Sequence, residues 1–176
     1  MKDRTPDGRI EGFTGGCKTI GSEHVMVWEG CTYKASYVNT AVANTASVNI
    51  LIQVPATLSL MHINHNTFKT TGAPFGIGVY EGPTFSAAGT AITPYNINRL
   101  SSNTSLVTIT HTPTLTDDGT QIEADLIVGD KSAGGDIEGY SEHFVFGPGN
   151  FLFRATNNSG QEKQLAFRMA YFELAA

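Results

Sequence analysis

Histidines and carboxylates stand close enough at two places in this sequence to suggest a metal site. His62 and His65 are three residues apart in an extended stretch, and Asp117–Thr120 (Asp-Asp-Gly-Thr) offers oxygen ligands of the kind calcium prefers. Residues three apart on a regular strand point to opposite faces, so these imidazoles could share a metal only across a β-bulge. Asp117–Thr120 lacks a longer ligand loop and favours an Asx-type turn. We therefore predict no metal site and no cofactor.

The sequence indicates catalytic residues no more strongly than it indicates a metal site. Gly76–Val79 lacks the third glycine of a dinucleotide fingerprint, and no helical pattern follows it. Glu138 and Glu142 could form a carboxylate pair, but Glu138 falls in a glycine-rich loop. We therefore predict that the protein is not an enzyme and assign no catalytic, cofactor-binding or metal residues. No nucleophile-elbow pattern surrounds Ser36, Ser47 or Ser141, and the other histidines, His24, His111 and His143, are scattered along the chain.

The amino-acid composition argues against some classes of binding partner. Charged residues make up 15% of the 176 residues, against about 25% in a typical soluble protein. The net charge is −5 and no Lys/Arg cluster occurs, which argues against binding to a nucleic acid backbone. No apolar run approaches the ~20 residues that span a membrane. Low charge fits a protein that buries much of its surface in an assembly.

The N-terminal part of the chain differs from the rest. Residues 1–16 mix glycines and charges without periodicity, which predicts a flexible arm, either a frayed terminus or a strap onto a neighbouring subunit. This start lacks the apolar core of a signal peptide, so we expect Cys17 and Cys31 to be reduced rather than bridged. Residues 17–176 are predicted to form one domain.

Short strands separated by turns dominate that domain. The clearest are Ala46–Val54, Phe151–Thr156 and Gln164–Leu174, and Gln121–Val128 alternates apolar and polar residues. Lys18–Glu29 also looks β-prone, and no stretch predicts a helix. In residues 57–68 the apolar phase slips by one, which indicates a bulge or a strand buried on both faces.

About ten such strands predict an all-β fold, an antiparallel β-sandwich. A jelly roll is the first choice and an immunoglobulin-like sandwich the second. The organising stretch is Val79–Arg99, a strand-loop-strand unit whose glycines and prolines suit turns. Aromatic residues flank its loop and the later glycine loop, and together they could form a subunit contact. They are Tyr80, Phe85, Tyr95, Tyr140 and Phe144.

Seven segments of the chain carry a resemblance to a known family: Val79–Thr84, Gly89–Arg99, Ser101–Thr104, Val107–Thr114, Asp117–Thr120, Phe151–Gly160 and Met169–Glu173. Together they resemble a family of small virion-associated proteins of tailed bacteriophages. The resemblance covers roughly Ala46 to Glu173. At the C-terminus the family often has a Trp-Tyr-Glu-His-like tail, whereas this chain has Tyr171-Phe-Glu-Leu174.

The resemblance implies a structural protein on the outer surface of the phage head, assembled in the host cytoplasm. Its partners would be the major capsid protein and two further copies of itself in a homotrimer. It implies no catalytic or ligand-binding residues. A tail or fibre component, or a carbohydrate-binding module for host attachment, remains the alternative.

Overall fold

The computed structural model describes residues 22–128, 136–138 and 144–176, and the structural statements below concern these residues. One short helix precedes fourteen strands. The elements are α1 (Ser22–Trp28), β1 (Thr32–Val42), β2 (Ser47–Val54), β3 (Leu58–Thr70), β4 (Phe75–Glu81), β5 (Thr84–Ala87), β6 (Thr90–Ala91), β7 (Tyr95–Asn96), β8 (Thr108–His111), β9 (Thr114–Asp117), β10 (Thr120–Ile127), β11 (Asp136–Glu138), β12 (Phe144–Phe146), β13 (Gly149–Asn157) and β14 (Lys163–Ala175).

Two antiparallel sheets form the sandwich. Sheet I has the order β11-β3-β14-β1-β7, with β12 also paired to β3, and sheet II has the order β10-β4-β13-β2-β8-β6. Strand β1 pairs with β14, β2 with β13, β3 with β12 and β4 with β10. The first half of the chain therefore pairs in reverse order with the second half, as one long hairpin rolled into two sheets. This is the jelly-roll arrangement, so the predicted fold class is confirmed.

The core lies between the inner faces of the two sheets, as the alternation of apolar residues predicts. Strand β14 contributes alternate residues that are almost completely buried, and so do β2 and β13. Phenylalanine rings stack across the interior, with the Phe146 and Phe151 rings 3.9 Å apart. The largest buried side chains of this core are Tyr171, Phe75, Phe153, Phe167, Ile50, Ile52, Met61, Ile63, Ile109 and Ile127.

The phase slip predicted in residues 57–68 is confirmed as a pair of bulges in β3. Leu174 pairs with Leu60 and Ala175 with Leu58, which leaves Ser59 unpaired in the register. A second shift leaves out Asn64. Each bulge moves the following side chains to the other face of the sheet.

The prediction of a β-type run over Lys18–Glu29, and of no helix, is wrong because Ser22–Trp28 is helix α1. Its end satisfies both hydrogen bonds of a Schellman motif: the Gly30 amide donates to the Val27 carbonyl and the Cys31 amide to that of Met26. Gly30 adopts the left-handed φ of 72° that this motif needs. The alternation of Val25 and Val27 suggested a strand, but the residues form a helix that ends at Gly30.

The connection between β4 and β10 contains an internal repeat. Residues 81–91 and 111–121 each run from a strand through Pro-Thr to Gly-Thr, at equal spacing. Their central strands β5 and β9 pair antiparallel, with Phe85 opposite Leu115. Each copy then continues into an edge strand of sheet II, β6 in the first and β10 in the second. The two copies are thus related by an approximate two-fold axis through the Phe85–Leu115 pair.

This β5–β9 ribbon covers the outer face of sheet II. Leu51 and Leu152 pair across β2 and β13 on that face and are fully buried. Hydrogen bonds attach the ribbon to sheet II on either side of these leucines. On one side, the Thr110 hydroxyl donates to the Ala88 carbonyl. On the other side, the Arg154 guanidinium donates two 2.6 Å hydrogen bonds to the carboxylate of Asp118. Sheet II is consequently apolar on both faces under the ribbon.

The ribbon's glycines yield a prediction about stability. Gly82 and Gly119 both have left-handed φ, but a Cβ on Gly82 meets open space whereas one on Gly119 collides with the carbonyl of Glu81. We expect Gly82→Ala to cost about 1 kcal/mol from backbone strain. Gly119→Ala should cost about 1–3 kcal/mol more from the collision. Urea unfolding of both variants measures the difference, and equal costs would contradict the close packing of the ribbon.

Candidate functional site

Five large apolar side chains are exposed around the end of α1 and the segment from β7 to Leu106. We call them the Trp28 patch, and Leu100 is 98% exposed. Single exposed apolar residues are ordinary, but several on one unit of structure mark an interaction surface. The patch consists of Trp28, Tyr95, Ile97, Leu100 and Leu106.

Asparagine side chains join these residues into one unit. The Asn98 amide group donates to the carbonyl of Trp28 at 3.1 Å. Asn96, which is buried, donates to the carbonyls of Gly30 and Asn103 at 2.8 and 3.2 Å. Helix α1 and the segment after β7 are therefore joined by hydrogen bonds, and this segment is held more firmly than a free loop.

Glu173 on β14 anchors the other end of this segment. The residue is only 7% exposed. Its carboxylate accepts hydrogen bonds from the Ser105 hydroxyl at 2.5 Å and from the amides of Leu106 and Val107 at 3.0 and 3.1 Å. Charge-assisted bonds of this kind are stronger than neutral ones. A central strand of sheet I thus holds Leu106 in place.

The groups around Glu173 are held neutral. Burial, followed by the nearby charge of Glu173, raises the pKa of Tyr33 to about 12. Burial also raises the pKa of Tyr171, although the hydrogen bond with Ser105 opposes that rise. The half-buried thiol of Cys31 has a raised pKa through burial and the carboxylates of Glu29 and Glu173. A thiol with a raised pKa is a poor nucleophile, so the cluster fits anchoring better than nucleophilic chemistry.

Cations lie beside the aromatic part of the patch. The Arg99 guanidinium stands over the Tyr95 ring, 5.9 Å from its centre. Lys34 pairs with Tyr95 across β1 and β7, and the acidic residue Glu29 follows Trp28 in the chain. The patch therefore combines an apolar centre with a mainly basic border.

The two stretches with metal-binding residue types make other contacts in the structure. The bulge at Asn64 places His62 and His65 on the same face of β3, opposite Phe172 and Ala170, but His65 shares a 2.8 Å hydrogen bond with Thr67 and His62 packs edge-on against the Phe172 ring. Within the described part of the chain, no group of three or more His, Cys, Asp or Glu could hold a metal ion.

The Asp-Asp-Gly stretch forms the predicted Asx turn. The Asp117 carboxylate accepts the Gly119 amide at 2.7 Å. The neighbouring Asp118 is bound by Arg154, whose hydrogen bond lowers the pKa of that carboxyl. The Asp117 carboxylate therefore stabilises the turn after β9, and the Asp118 carboxylate attaches that turn to Arg154 of sheet II.

The aromatic residues that were predicted to form one subunit contact lie in different parts of the structure. Tyr95 belongs to the Trp28 patch, whereas Tyr80 lies under Arg154 and Phe85 is in the ribbon. Phe144 packs against Phe153 at the edge of the core. Some of the residues named from the sequence lie outside the described residues or side chains, namely the arm 1–16, Cys17, Glu138, Tyr140, Ser141, Glu142 and His143.

Sequence reasoning missed Leu100 and Leu106 as parts of a surface, and it gave no role to Trp28 or to the buried Glu173. The stretch that carries Leu100 and Leu106 has no strand or helix period, and its asparagines bond to backbone groups far away in the sequence. A run of Asn and Ser between two strands was the only available signal, and it indicates a loop without indicating its shape.

Comparison with known proteins gives no family for this chain. No protein-family model matches the sequence, and no curated protein matches it significantly. Among the described residues, no helix has the length and apolar character needed to cross a membrane.

The anchor at Glu173 can be tested by one substitution. Glu173→Gln removes the charge that holds Ser105, Leu106 and Val107, so each bond should fall from the roughly 1.5–3 kcal/mol of a bond to a charged group toward the roughly 0.5–1.5 kcal/mol of a neutral one. We expect faster hydrogen exchange at the amides of Leu106 and Val107. Glu162→Gln, in an exposed turn, is the matched control and should leave both amides unchanged. Unaltered exchange in Glu173→Gln would contradict the anchoring role.

Proposed function

We propose that the protein is a non-catalytic structural component of a tailed-phage virion that binds the outer surface of the head and stabilises it. In this proposal several copies, arranged as a homotrimer, clamp neighbouring subunits of the major capsid protein. Each copy adds a modest contact area, and the symmetric arrangement turns several weak contacts into firm attachment.

The observation that carries the proposal is the Trp28 patch. Aromatic and aliphatic side chains with a nearby arginine are typical of protein contacts, because they bury a large area for little lost side-chain freedom. Here they are exposed on a unit that hydrogen bonds hold at both ends. Such a surface suits binding in which the segment does not have to become ordered first.

Three further points support the proposal. Jelly-roll sandwiches are common among viral capsid proteins, although a fold alone does not define a function. The low content of charged residues, 15%, fits a chain that contacts other subunits over much of its surface. The sequence resemblance to phage virion proteins points the same way.

A module for attachment to host glycans is the second candidate. Trp28 and Tyr95 are 58% and 44% exposed, and such rings can also stack on the apolar face of a sugar. In the first candidate function these rings would contact another protein subunit, and in the second they would contact a host glycan.

Binding to purified phage heads that lack this protein tests the proposal. We expect the wild-type chain to sediment with the heads, and Trp28→Ser to bind at least about tenfold more weakly, since central aromatic contacts contribute more than 1.4 kcal/mol. Val38→Ser is the matched control, because Val38 is 60% exposed on β1 outside the patch.

Two results would contradict the proposal. One is wild-type protein that stays in the supernatant at micromolar concentration. The other is retention on a glycan array that Trp28→Ser abolishes while binding to heads is unaffected; this would favour the attachment module.

A further inference from the structure

The outer face of sheet I is a second surface that is open to solvent. Alternate residues of β14 from Leu165 to Tyr171 are buried in the core. The residues between them therefore lie on the outer face, since successive side chains of a strand point to opposite sides. Among these, Arg168 is exposed, while Ala166 and Ala170 are half-buried. The alanine side chains are short, so this face is lowest along β14.

Basic side chains stand on both sides of Ala170. Ala170 pairs with His65 on β3 and with Lys34 on β1, and Lys34 pairs in turn with Tyr95 on β7. Paired residues of antiparallel strands share a face, so these side chains form one row across sheet I. Arg168 lies two residues before Ala170 and is thus diagonal to both basic neighbours, at a distance of about 7–8 Å.

This row leads directly into the Trp28 patch. Tyr95 belongs to that patch, and the Arg99 guanidinium stands 5.9 Å from the centre of its ring. We call the four basic residues the basic strip, which consists of His65, Arg168, Lys34 and Arg99. Val38 follows Lys34 by four residues on β1, or about 13 Å, and lies outside the strip.

The permanent charges of the basic strip are not neutralised within the described part of the chain. There, no carboxylate lies within ion-pair distance of Arg168, Lys34 or Arg99. The other described lysines and arginines differ. Arg154 is bound by Asp118, the Lys163 ammonium donates to Gln161, and Lys69 lies opposite Asp136 on β11, at the far edge of the sheet.

The strip also has the opposite sign to the chain as a whole, whose net charge is −5. Several carboxylates lie elsewhere, with Glu123 and Asp125 on β10 of sheet II and Asp117 and Asp118 at the end of β9. Like charges that stand close together repel, and a partner that brings carboxylates between them relieves that repulsion. Complementary charge of this kind selects partners and speeds their encounter.

We propose that the basic strip binds an acidic protein surface on the phage head, whose carboxylates lie over Ala170 between Lys34 and Arg168. The Trp28 patch beside it contacts apolar side chains of the same partner. An apolar centre with a charged border is the usual arrangement of a protein contact. A nucleic acid is a poorer fit, because proteins that bind its backbone typically make about 6–10 phosphate contacts.

This inference rests on the proposed function and specifies the charge of the partner surface. The two can fail separately in one sedimentation experiment. Wild-type protein that does not bind heads would overturn both. Wild-type protein that binds heads irrespective of the charges of the strip would overturn this inference alone.

Charge reversal in the strip is the closing test. Arg168→Glu and Lys34→Glu should each bind heads about tenfold more weakly than wild type, or worse, because a carboxylate then faces the partner's carboxylates. Arg168→Lys keeps the charge and should bind nearly as wild type does. Lys163→Glu is the matched control, since it makes the same change in net charge at the other end of β14, and it should leave binding unchanged.

Salt gives a second readout that does not depend on any variant folding. Wild-type affinity should fall between about 0.1 M and about 1 M salt, where the screening length shortens from about 10 Å to about 3 Å. The affinity of Arg168→Glu should change less over that range, because the attraction that salt screens is already lost.

Three results would overturn the inference. One is Arg168→Glu or Lys34→Glu that binds as wild type does. Another is Lys163→Glu that loses as much affinity as they do, since net charge and not the strip would then decide binding. The third is retention on a heparin column that Arg168→Glu abolishes while binding to heads is unaffected, which would assign the strip to an anionic polysaccharide. Circular dichroism spectra like that of wild type establish that each variant is folded.

Discussion

The pairing of the last strand, β14, between β1 and β3 is the interaction on which the rest of the structure depends. It brings the chain's end into the centre of sheet I and supplies alternate core residues from Leu165 to Tyr171. Glu173 follows on the same strand and anchors the segment that carries Leu106. Core, sheet order and the Trp28 patch therefore all require β14 to be in register.

Much of this fold follows from the sequence, because strand alternation and turn residues are local signals. The strands at residues 46–54, 151–156 and 164–174, the bulged strand β3 and the Asx turn at Asp117 were predictable for that reason. Helix α1 was not, because Val25 and Val27 alternate like a strand and only the glycine at position 30 marks a helix end. Period-2 patterns shorter than two helical turns do not separate the two structures.

The surfaces were less predictable than the strands. Gln121–Val128 alternates as a strand should, but nothing local shows that its apolar side is turned outward. That orientation results from the pairing of β10 with β4, which is decided by the whole sheet. The ribbon's repeat was visible in the sequence as two Pro-Thr and Gly-Thr pairs at equal spacing. Its role in covering Leu51 and Leu152 required the structure.

Imaging of intact virions that carry this chain, at a resolution that resolves strands, tests the central claim most directly. The account predicts jelly-roll density in many copies on the outer surface of the head, with the Trp28 patch at a contact between subunits. Density confined to the tail or its fibres, or a patch that faces solvent in every copy, would contradict it.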